Sequence, residues 1–187
     1  ATLDALSAMG VRHERLGPGH LVVYGVGMHG LRASPQALDL GNSGTSMRLL
    51  AGLLASQAFE STLVGDASLM QRPMERVATP LRAMGAEVAT DDGHPPVTIR
   101  GADLTGLHFA PDVPSAQVKG AVLLAALAAE GTTTVVEPVR TRDHTERALA
   151  ALGAPIEDGD AGVVLDGPFQ HAGFGARVPG DPSSAAF

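Results

Sequence analysis

The sequence predicts an α/β (α+β) fold built from repeated βαβαββ units, and two recurring patterns carry that prediction. A helix ending occurs three times, each with leucines at helical spacing before the glycine that commonly ends a helix: LDALSAMGV (3–11), TPLRAMGAEV (79–88) and RALAALGAPI (147–156). A β-type run that closes on glycine follows each ending: HLVVYGVG (20–27), PVTIRGAD (96–103) and GVVLDGPF (162–169). The chain therefore repeats a helix, a turn and a strand.

The other elements of the unit lie between these copies. Three segments open with small or capping residues and continue as helices: NSGTSMRLLAGLLA (42–55), PSAQVKGAVLLAALAA (114–129) and DPSSAAF (181–187). The first two lead into strands, STLVGD (61–66) and TTTVVEP (132–138), which lead into the helices that end on glycine. The period of about 70 residues is longer than a solenoid repeat, so each copy is a small subdomain. Strands that alternate with helices indicate crossover connections.

Composition and charge exclude several classes of function. With 187 residues, of which 44% are hydrophobic and 18% charged, the chain can bury a substantial core. Its formal net charge of −7 argues against binding to nucleic acid or an anionic membrane, so any anion site must be local. The lack of cysteine excludes disulfides, thiolate nucleophiles and cysteine-ligated metals, and a cytoplasmic location fits. No run approaches the roughly 18 to 20 apolar residues of a membrane span.

The turn in LDLGNSGTSMR (38–48) is the first candidate anion site. Asn42 or Ser43 is a plausible N-cap, and Gly44 allows backbone N–H groups to approach a ligand closely. A helix start with free amides and the positive end of the helix dipole suits phosphate or carboxylate. The alternative is an ordinary capped helix after a strand.

Arg72 in GDASLMQRP (65–73) is the second candidate. It precedes Pro73, a residue favoured at the first position of a helix, so its guanidinium could project from a fixed turn. A guanidinium held in this way can bind a carboxylate through two hydrogen bonds. The alternative is a solvated arginine.

Two further candidates open later helices. In VPSAQVKGAVLL (113–124), Ser115 is a common type of cap, and Gln117 has both a donor and an acceptor for ligand hydroxyls. In EPVRTRDHTERAL (137–149), Asp143 is expected to cap the helix and Arg142 could reach a ligand anion. His144 is better explained as a surface helix residue than as a catalytic base.

In this order, the segments LGNSGTSMR, GDASLMQRPMERV, VPSAQVK, EPVRTRDHTE and GDPSSAAF resemble the EPSP synthase (3-phosphoshikimate 1-carboxyvinyltransferase) family over essentially the whole chain. SAQVK and TRDHTE are similar to the bacterial branch called class II. The resemblance implies two domains, each of three βαβαββ units around a pseudo-threefold axis, with the substrates between them. Residues 1–178 would then form most of one domain, incomplete at its N-terminus, and residues 179–187 would begin the crossover to the second domain.

The resemblance also implies an activity in the shikimate pathway of aromatic amino-acid biosynthesis. The family transfers the enolpyruvyl group of phosphoenolpyruvate to the 5-hydroxyl of shikimate 3-phosphate and releases phosphate, with no metal or organic cofactor. It assigns five residues to phosphoenolpyruvate: Asn42, Gly44, Thr45, Arg72 and Gln117. It assigns five to shikimate 3-phosphate: Ser115, Ala116, Gln117, Thr141 and Arg142. Gly44 further suggests sensitivity to glyphosate.

The acid–base residues of the family have no counterpart in this sequence, so none of its residues is expected to be catalytic. ATLDALSAMG reads as the middle of a helix and PSSAAF as the start of one, which indicates a piece of a longer protein. We therefore expect a substrate-binding half with negligible turnover alone, which needs the second domain.

Two alternatives to this interpretation are open. The sibling transferase that acts on UDP-N-acetylglucosamine usually has a cysteine where this chain has Ala67. A domain without catalysis could also use the same residues, to bind a sugar phosphate or to pack against a partner protein.

Overall fold

The computed structural model describes residues 1–160 and 162–178. Its helices and strands follow in this order: α1 (Thr2–Ala8), β1 (Arg12–Gly17), β2 (His20–Tyr24), β3 (Leu38–Asp39), α2 (Gly44–Leu54), β4 (Glu60–Val64), α3 (Glu75–Ala83), β5 (Glu87–Asp91), β6 (His94–Arg100), β7 (His108–Phe109), α4 (Ala116–Ala126), β8 (Gly131–Val135), α5 (His144–Ala151), β9 (Ile156–Gly159) and β10 (Gly162–Gly167). A short 3₁₀ helix spans Leu69–Gln71.

The predicted βαβαββ unit is confirmed twice. It runs once from β3 to β6 and once from β7 to β10, while α1, β1 and β2 match the last three elements of a further copy. The two four-stranded sheets have the same order, β3-β4-β6-β5 and β7-β8-β10-β9. In each sheet the first two strands are parallel and the other pairs are antiparallel. The repeat in the sequence is therefore a repeat in topology.

Burial follows the patterns that predicted the elements. In β6, Val97 and Ile99 are fully buried while the residues between and after them are half-buried or exposed, as expected for a strand with one face on the core. Helix α4 is buried along most of its length because its residues are nearly all small or aliphatic. Full burial of one leucine or valine side chain contributes about 1.5–3 kcal/mol. The buried aliphatic side chains therefore dominate the stability of each unit.

The two units meet where α2 packs against α4. A Cβ atom on Gly52 would lie 2.1 Å from the carbonyl oxygen of Ala121, far inside van der Waals contact. The backbones of the two helices therefore touch at this point, and only glycine fits at position 52. This contact fixes the distance between the two helices, whose N-termini carry the candidate anion-binding residues.

Three further points concern strand length, the last residues of the chain and membrane spans. The strands β3 and β7, which open the two units, have only two residues each. Residues 179–187, including the expected helix DPSSAAF and crossover, lie outside the described residues. Within the described part of the chain, no helix is both long and apolar enough to cross a membrane.

Candidate anion-binding site

In the turn before α2, the two candidate caps, Asn42 and Ser43, have different roles. Ser43 is the N-cap, and its hydroxyl oxygen accepts a hydrogen bond from the backbone N–H of Ser46 at 3.2 Å. Asn42 is exposed, and its amide nitrogen donates to a carboxylate oxygen of Asp66 at 2.8 Å. Its amide oxygen accepts a hydrogen bond from Arg72. Because arginine has only donors, this contact fixes which way the Asn42 amide points.

Asp66 anchors this chain of contacts. One of its oxygens accepts the backbone N–H of Leu69 at 2.8 Å, and the other accepts from Asn42. The bond from Leu69, followed by the bond from Asn42, lowers the pKa of Asp66. The Asp66 carboxylate therefore stays charged and orients Asn42, which in turn holds Arg72.

Arg72 is held in place, but not by the start of a helix. The expectation that Pro73 opens the next helix is wrong, because α3 begins at Glu75. The backbone N–H groups of Met74 and Glu75 both bond to the carbonyl of Gly93, a contact from a distant turn. Arg72 is extended, with φ −85° and ψ 138°, as a residue before proline prefers. Its side chain is half-buried and bonded to Asn42, so the alternative of a freely solvated arginine is also wrong.

Gly44 lies beneath two guanidinium groups. A Cβ atom at this position would be 2.9 Å from Nη1 of Arg48 and 3.0 Å from Nη1 of Arg72. Both distances are shorter than ordinary side-chain contacts, so any residue larger than glycine would displace the ends of these arginines. The turn therefore keeps its positive charge close to the backbone of the helix start.

Arg48 is a residue of this site that the sequence reasoning missed. It is only 7% exposed, and it donates to the carbonyl oxygens of Gly44 at 3.3 Å and Pro73 at 3.2 Å. Its third bond goes to the side-chain oxygen of Gln117 at 2.7 Å. Burial, with smaller effects from the positive charges of Arg76 and Arg72, lowers the pKa of Arg48. The signal in the sequence was a single arginine inside an apolar helix, four residues after Gly44 and so on the same face.

Gln117 joins the two helix starts. Its amide nitrogen donates to the hydroxyl of Thr45 at 2.7 Å, and its oxygen accepts from Arg48. Gln117 belongs to α4, while Thr45 and Arg48 belong to α2. The residue predicted to contact both substrates therefore bridges the starts of two helices, close to members of both predicted sets.

A cavity of about 370 Å³ is lined by the residues predicted to bind shikimate 3-phosphate. Its lining includes Ser115, Ala116, Gln117, Thr141 and Arg142, together with Pro114. Ser115 is the N-cap of α4, and its hydroxyl accepts from the backbone N–H of Val118 at 3.4 Å. All five residues that the resemblance assigned to shikimate 3-phosphate thus line one cavity.

The segment before α5 differs from expectation at one residue. Asp143 occupies the cap position of α5, but its side chain makes no capping hydrogen bond, so the expected cap is wrong. The reason is its backbone, whose ψ of 19° differs from the β-region geometry that side-chain capping usually uses. His144 is exposed on the first turn of α5, in agreement with a surface role.

The chemistry available here is the binding of anions. Arg72 and Arg142 provide charge, and the starts of α2 and α4 provide positive helix ends that lie side by side. None of the side chains described above is arranged as a general acid or base. The chain thus combines a repeated βαβαββ framework with two helix starts that Gln117 joins, and arginines lie close to both.

The chain belongs to the EPSP synthase family. The family model described as EPSP synthase (3-phosphoshikimate 1-carboxyvinyltransferase) matches residues 1–187. A 3-phosphoshikimate 1-carboxyvinyltransferase of Acidithiobacillus ferrooxidans is 55% identical over 100% of this chain and 43% of its own length. The Methylococcus capsulatus protein of the same name is 53% identical over 100% of this chain and 43% of its own length.

A solved structure agrees with these relatives. The EPSP synthase of Acinetobacter baumannii superposes with a TM-score of 0.92 at 50% identity, covering 98% of this chain and 42% of that protein. The chain therefore spans less than half the length of the relatives it matches. The family match favours the shikimate enzyme over the UDP-N-acetylglucosamine transferase, the nearer of the two alternatives.

Proposed function

We propose that the protein of which this chain is a part transfers the enolpyruvyl group of phosphoenolpyruvate to the 5-hydroxyl of shikimate 3-phosphate. The products are 5-enolpyruvylshikimate 3-phosphate and phosphate, in the shikimate pathway to aromatic amino acids. The observation that carries the proposal is the pair of hydrogen bonds in which Gln117 accepts from Arg48 and donates to Thr45. Those bonds join the two helix starts at which the two anionic substrates would bind.

Phosphoenolpyruvate would bind at the start of α2. Arg72 would pair with its negative charge, and Asn42 would hold that guanidinium in position through its bond. Gly44 would let both guanidinium groups lie close over the helix start, and Thr45 and Gln117 would complete the wall. Glyphosate, an anion that competes for this site in the family, would meet the same residues.

Shikimate 3-phosphate would bind in the cavity at the start of α4. Arg142 would pair with the phosphate and Ser115 would offer its hydroxyl to it, while Thr141, whose hydroxyl hydrogen goes to Glu137, would line the same side of the cavity. Ala116 has no polar atom in its side chain, so that position would contribute only its backbone N–H. Gln117 lies between the two sites and would contact both substrates.

The reaction needs groups that these residues do not provide. The substrate hydroxyl adds to the central carbon of the enol while a proton is added to the methylene carbon, and phosphate then leaves as a proton is lost from the new methyl group. These steps need a general acid and a general base. We assign those groups, and further positive charge, to a second domain of the intact protein. This chain would hold the substrates, and the proposal involves no metal or organic cofactor.

Calorimetry and turnover together test this proposal. The isolated chain should bind shikimate 3-phosphate weakly, since losing half of the contacts weakens affinity by several kcal/mol. Arg142→Ala should abolish that binding, whereas Arg140→Ala, which alters an exposed neighbour paired with Asp158, should not. Product formation by the isolated chain should be negligible.

Two results would contradict the proposal. One is binding that Arg142→Ala leaves unchanged, and the other is turnover by the isolated chain close to that of an intact enzyme. A domain that only packs against a partner would show no binding at millimolar ligand, which would also contradict it. A cytoplasmic location of the intact protein stays a prediction.

A further inference from the structure

Three charged side chains from three segments meet inside the protein, beside the cavity but not in it. Lys119 lies in α4, Glu137 follows β8, and Glu146 lies in α5. The Lys119 ammonium is 2.6 Å from an oxygen of Glu137 and 2.5 Å from an oxygen of Glu146. Their side chains are only 3%, 6% and 5% exposed, respectively. We call these three residues the buried triad.

Stability alone does not explain the buried triad. Removing charges from water costs several kcal/mol for each ion, and the attraction between them often does no more than offset that loss. Apolar residues of similar volume would fill the same space at least as favourably. A buried ion group that adds little net stability is better explained by a requirement for a defined geometry.

The contacts of Glu137 show which geometry the buried triad defines. One Glu137 oxygen accepts the hydroxyl of Thr141, and the other accepts the backbone N–H of Thr141 at 3.4 Å. Thr141 and its neighbour Arg142 form one wall of the cavity. The opposite wall is the start of α4, and Lys119 lies in the first turns of that same helix. The bond between Lys119 and Glu137 therefore ties one wall of the cavity to the other.

Lys119 and Glu137 each keep the other side chain charged. Burial alone would lower the pKa of Lys119, but its bonds to Glu137 and Glu146 outweigh burial and raise it. Burial would likewise raise the pKa of Glu137, but the bonds from Lys119 and Thr141 lower it. Both groups are therefore ionised at neutral pH. Lys119 also offsets one of the two carboxylate charges that lie beside the cavity.

We propose that Lys119, Glu137 and Glu146 are positioning residues for the shikimate 3-phosphate cavity. They hold the segment of residues 137–142 against α4, so that Thr141 and Arg142 line the same cavity as Ser115. They touch no substrate themselves. This inference rests on the function proposed above for the cavity, and it assigns a task to three residues that the sequence motifs left unexplained.

Steady-state kinetics of the intact enzyme test the inference. Glu137→Ala should raise the Michaelis constant for shikimate 3-phosphate about tenfold or more, which corresponds to about 1.4 kcal/mol. The constant for phosphoenolpyruvate should stay within about twofold, because Asn42 and Asp66 hold Arg72 independently of the triad. Glu137→Gln keeps an oxygen that can accept from Thr141, so it should recover part of the loss. It also leaves Lys119 paired with Glu146, which keeps the test informative if the alanine variant fails to fold.

A matched control comes from the neighbouring ion pair of Arg140 and Asp158. Arg140 is exposed and its Nη2 lies 3.0 Å from Asp158, so breaking this pair perturbs the same segment without touching the buried triad. Asp158→Asn should leave both Michaelis constants unchanged, as exposed ion pairs contribute little.

The outcomes separate this inference from the function on which it rests. Suppose that Arg142→Ala raises the Michaelis constant for shikimate 3-phosphate, but the folded Glu137 variants leave it unchanged. The positioning role is then wrong, and the assignment of the cavity stands. If Arg142→Ala has no effect, the cavity assignment itself is wrong. Equal increases for both substrates in the Glu137 variants would show a purely structural role and would also overturn the inference.

Discussion

Arg48 and Gln117 are joined by a hydrogen bond of 2.7 Å that fixes the orientation of the Gln117 amide. Arginine can only donate, so the amide oxygen faces Arg48 and the amide nitrogen is directed at Thr45. The same guanidinium holds the carbonyls of Gly44 and Pro73. One buried arginine thus organises the turn before α2, the segment that carries Arg72 and the start of α4.

The substitution Gln117→Glu should separate binding from folding. The carboxylate introduced there would accept from Arg48 as an ion pair, so the thermal midpoint of the intact enzyme should not fall. The added negative charge would lie beside both anion sites, and the Michaelis constants for both substrates should rise about tenfold or more. Gln36→Glu, at an exposed position outside the cleft, is the matched control and should change neither constant. Unchanged constants in the Gln117 variant would contradict its place between the sites.

A methyl group at Gly44 should act on phosphoenolpyruvate and spare the fold. Gly44 begins α2, where alanine is favoured over glycine by up to about 1 kcal/mol, so stability should hold or improve. The methyl would press on the ends of Arg48 and Arg72 and so displace the charge that we propose binds phosphoenolpyruvate. Kinetics of intact Gly44→Ala should show a higher Michaelis constant for phosphoenolpyruvate and weaker inhibition by glyphosate. An unaltered constant would mean that this turn does not contact phosphoenolpyruvate.

A methyl group at Gly52, in contrast, should lower the stability of the fold. Its Cβ would lie 2.1 Å from the carbonyl oxygen of Ala121, so α2 and α4 must move apart. Overpacking of this kind destabilises by about 1–3 kcal/mol, measurable by urea unfolding of the intact protein. Gly25→Ala is the control, because a Cβ there meets nothing within 4 Å. Equal stability of the two variants would refute the close backbone contact.

The pKa of Glu137 predicts where acid weakens the protein. Its folded-state pKa is below the ordinary value of 4.5, owing to Lys119 and Thr141 acting against burial. Its contribution to the free energy of unfolding is therefore complete above pH 4.5 and is lost as the pH falls through the folded-state pKa. Unfolding of the intact protein and of Glu137→Gln should differ most at neutral pH and converge in acid. A difference that stays constant from pH 7 to acid would exclude this linkage.

The repeat and the helix starts could be predicted because their signals are local. Leucine spacing, a terminal glycine and a capping serine each lie within a few residues of the element that they define, as Ser43 and Ser115 illustrate. Residues lining the cavity were predicted by family resemblance, and the structure brings all of them together. Their roles in binding are still predictions.

Three of the misses came from contacts between distant segments. Arg48 is buried by Gln117 and Pro73, and Lys119 by Glu137 and Glu146, none of which is its neighbour in sequence. The start of α3 was misplaced for the same reason, since a carbonyl from a later turn takes the N–H groups of Met74 and Glu75. A local sequence pattern does not indicate which distant residues will be in contact.

The two four-stranded sheets have the same strand order, and this bears on how the proposed site would bind two substrates. Ser43 and Ser115 cap helices at equivalent points of the two units, and each accepts the amide three residues later. Internal symmetry therefore supplies two copies of one capped helix start, and the packing of α2 on α4 brings them within reach of a single glutamine. Under the function proposed above, two substrates would be held side by side by two copies of the same half-site, which differ in the side chains around them.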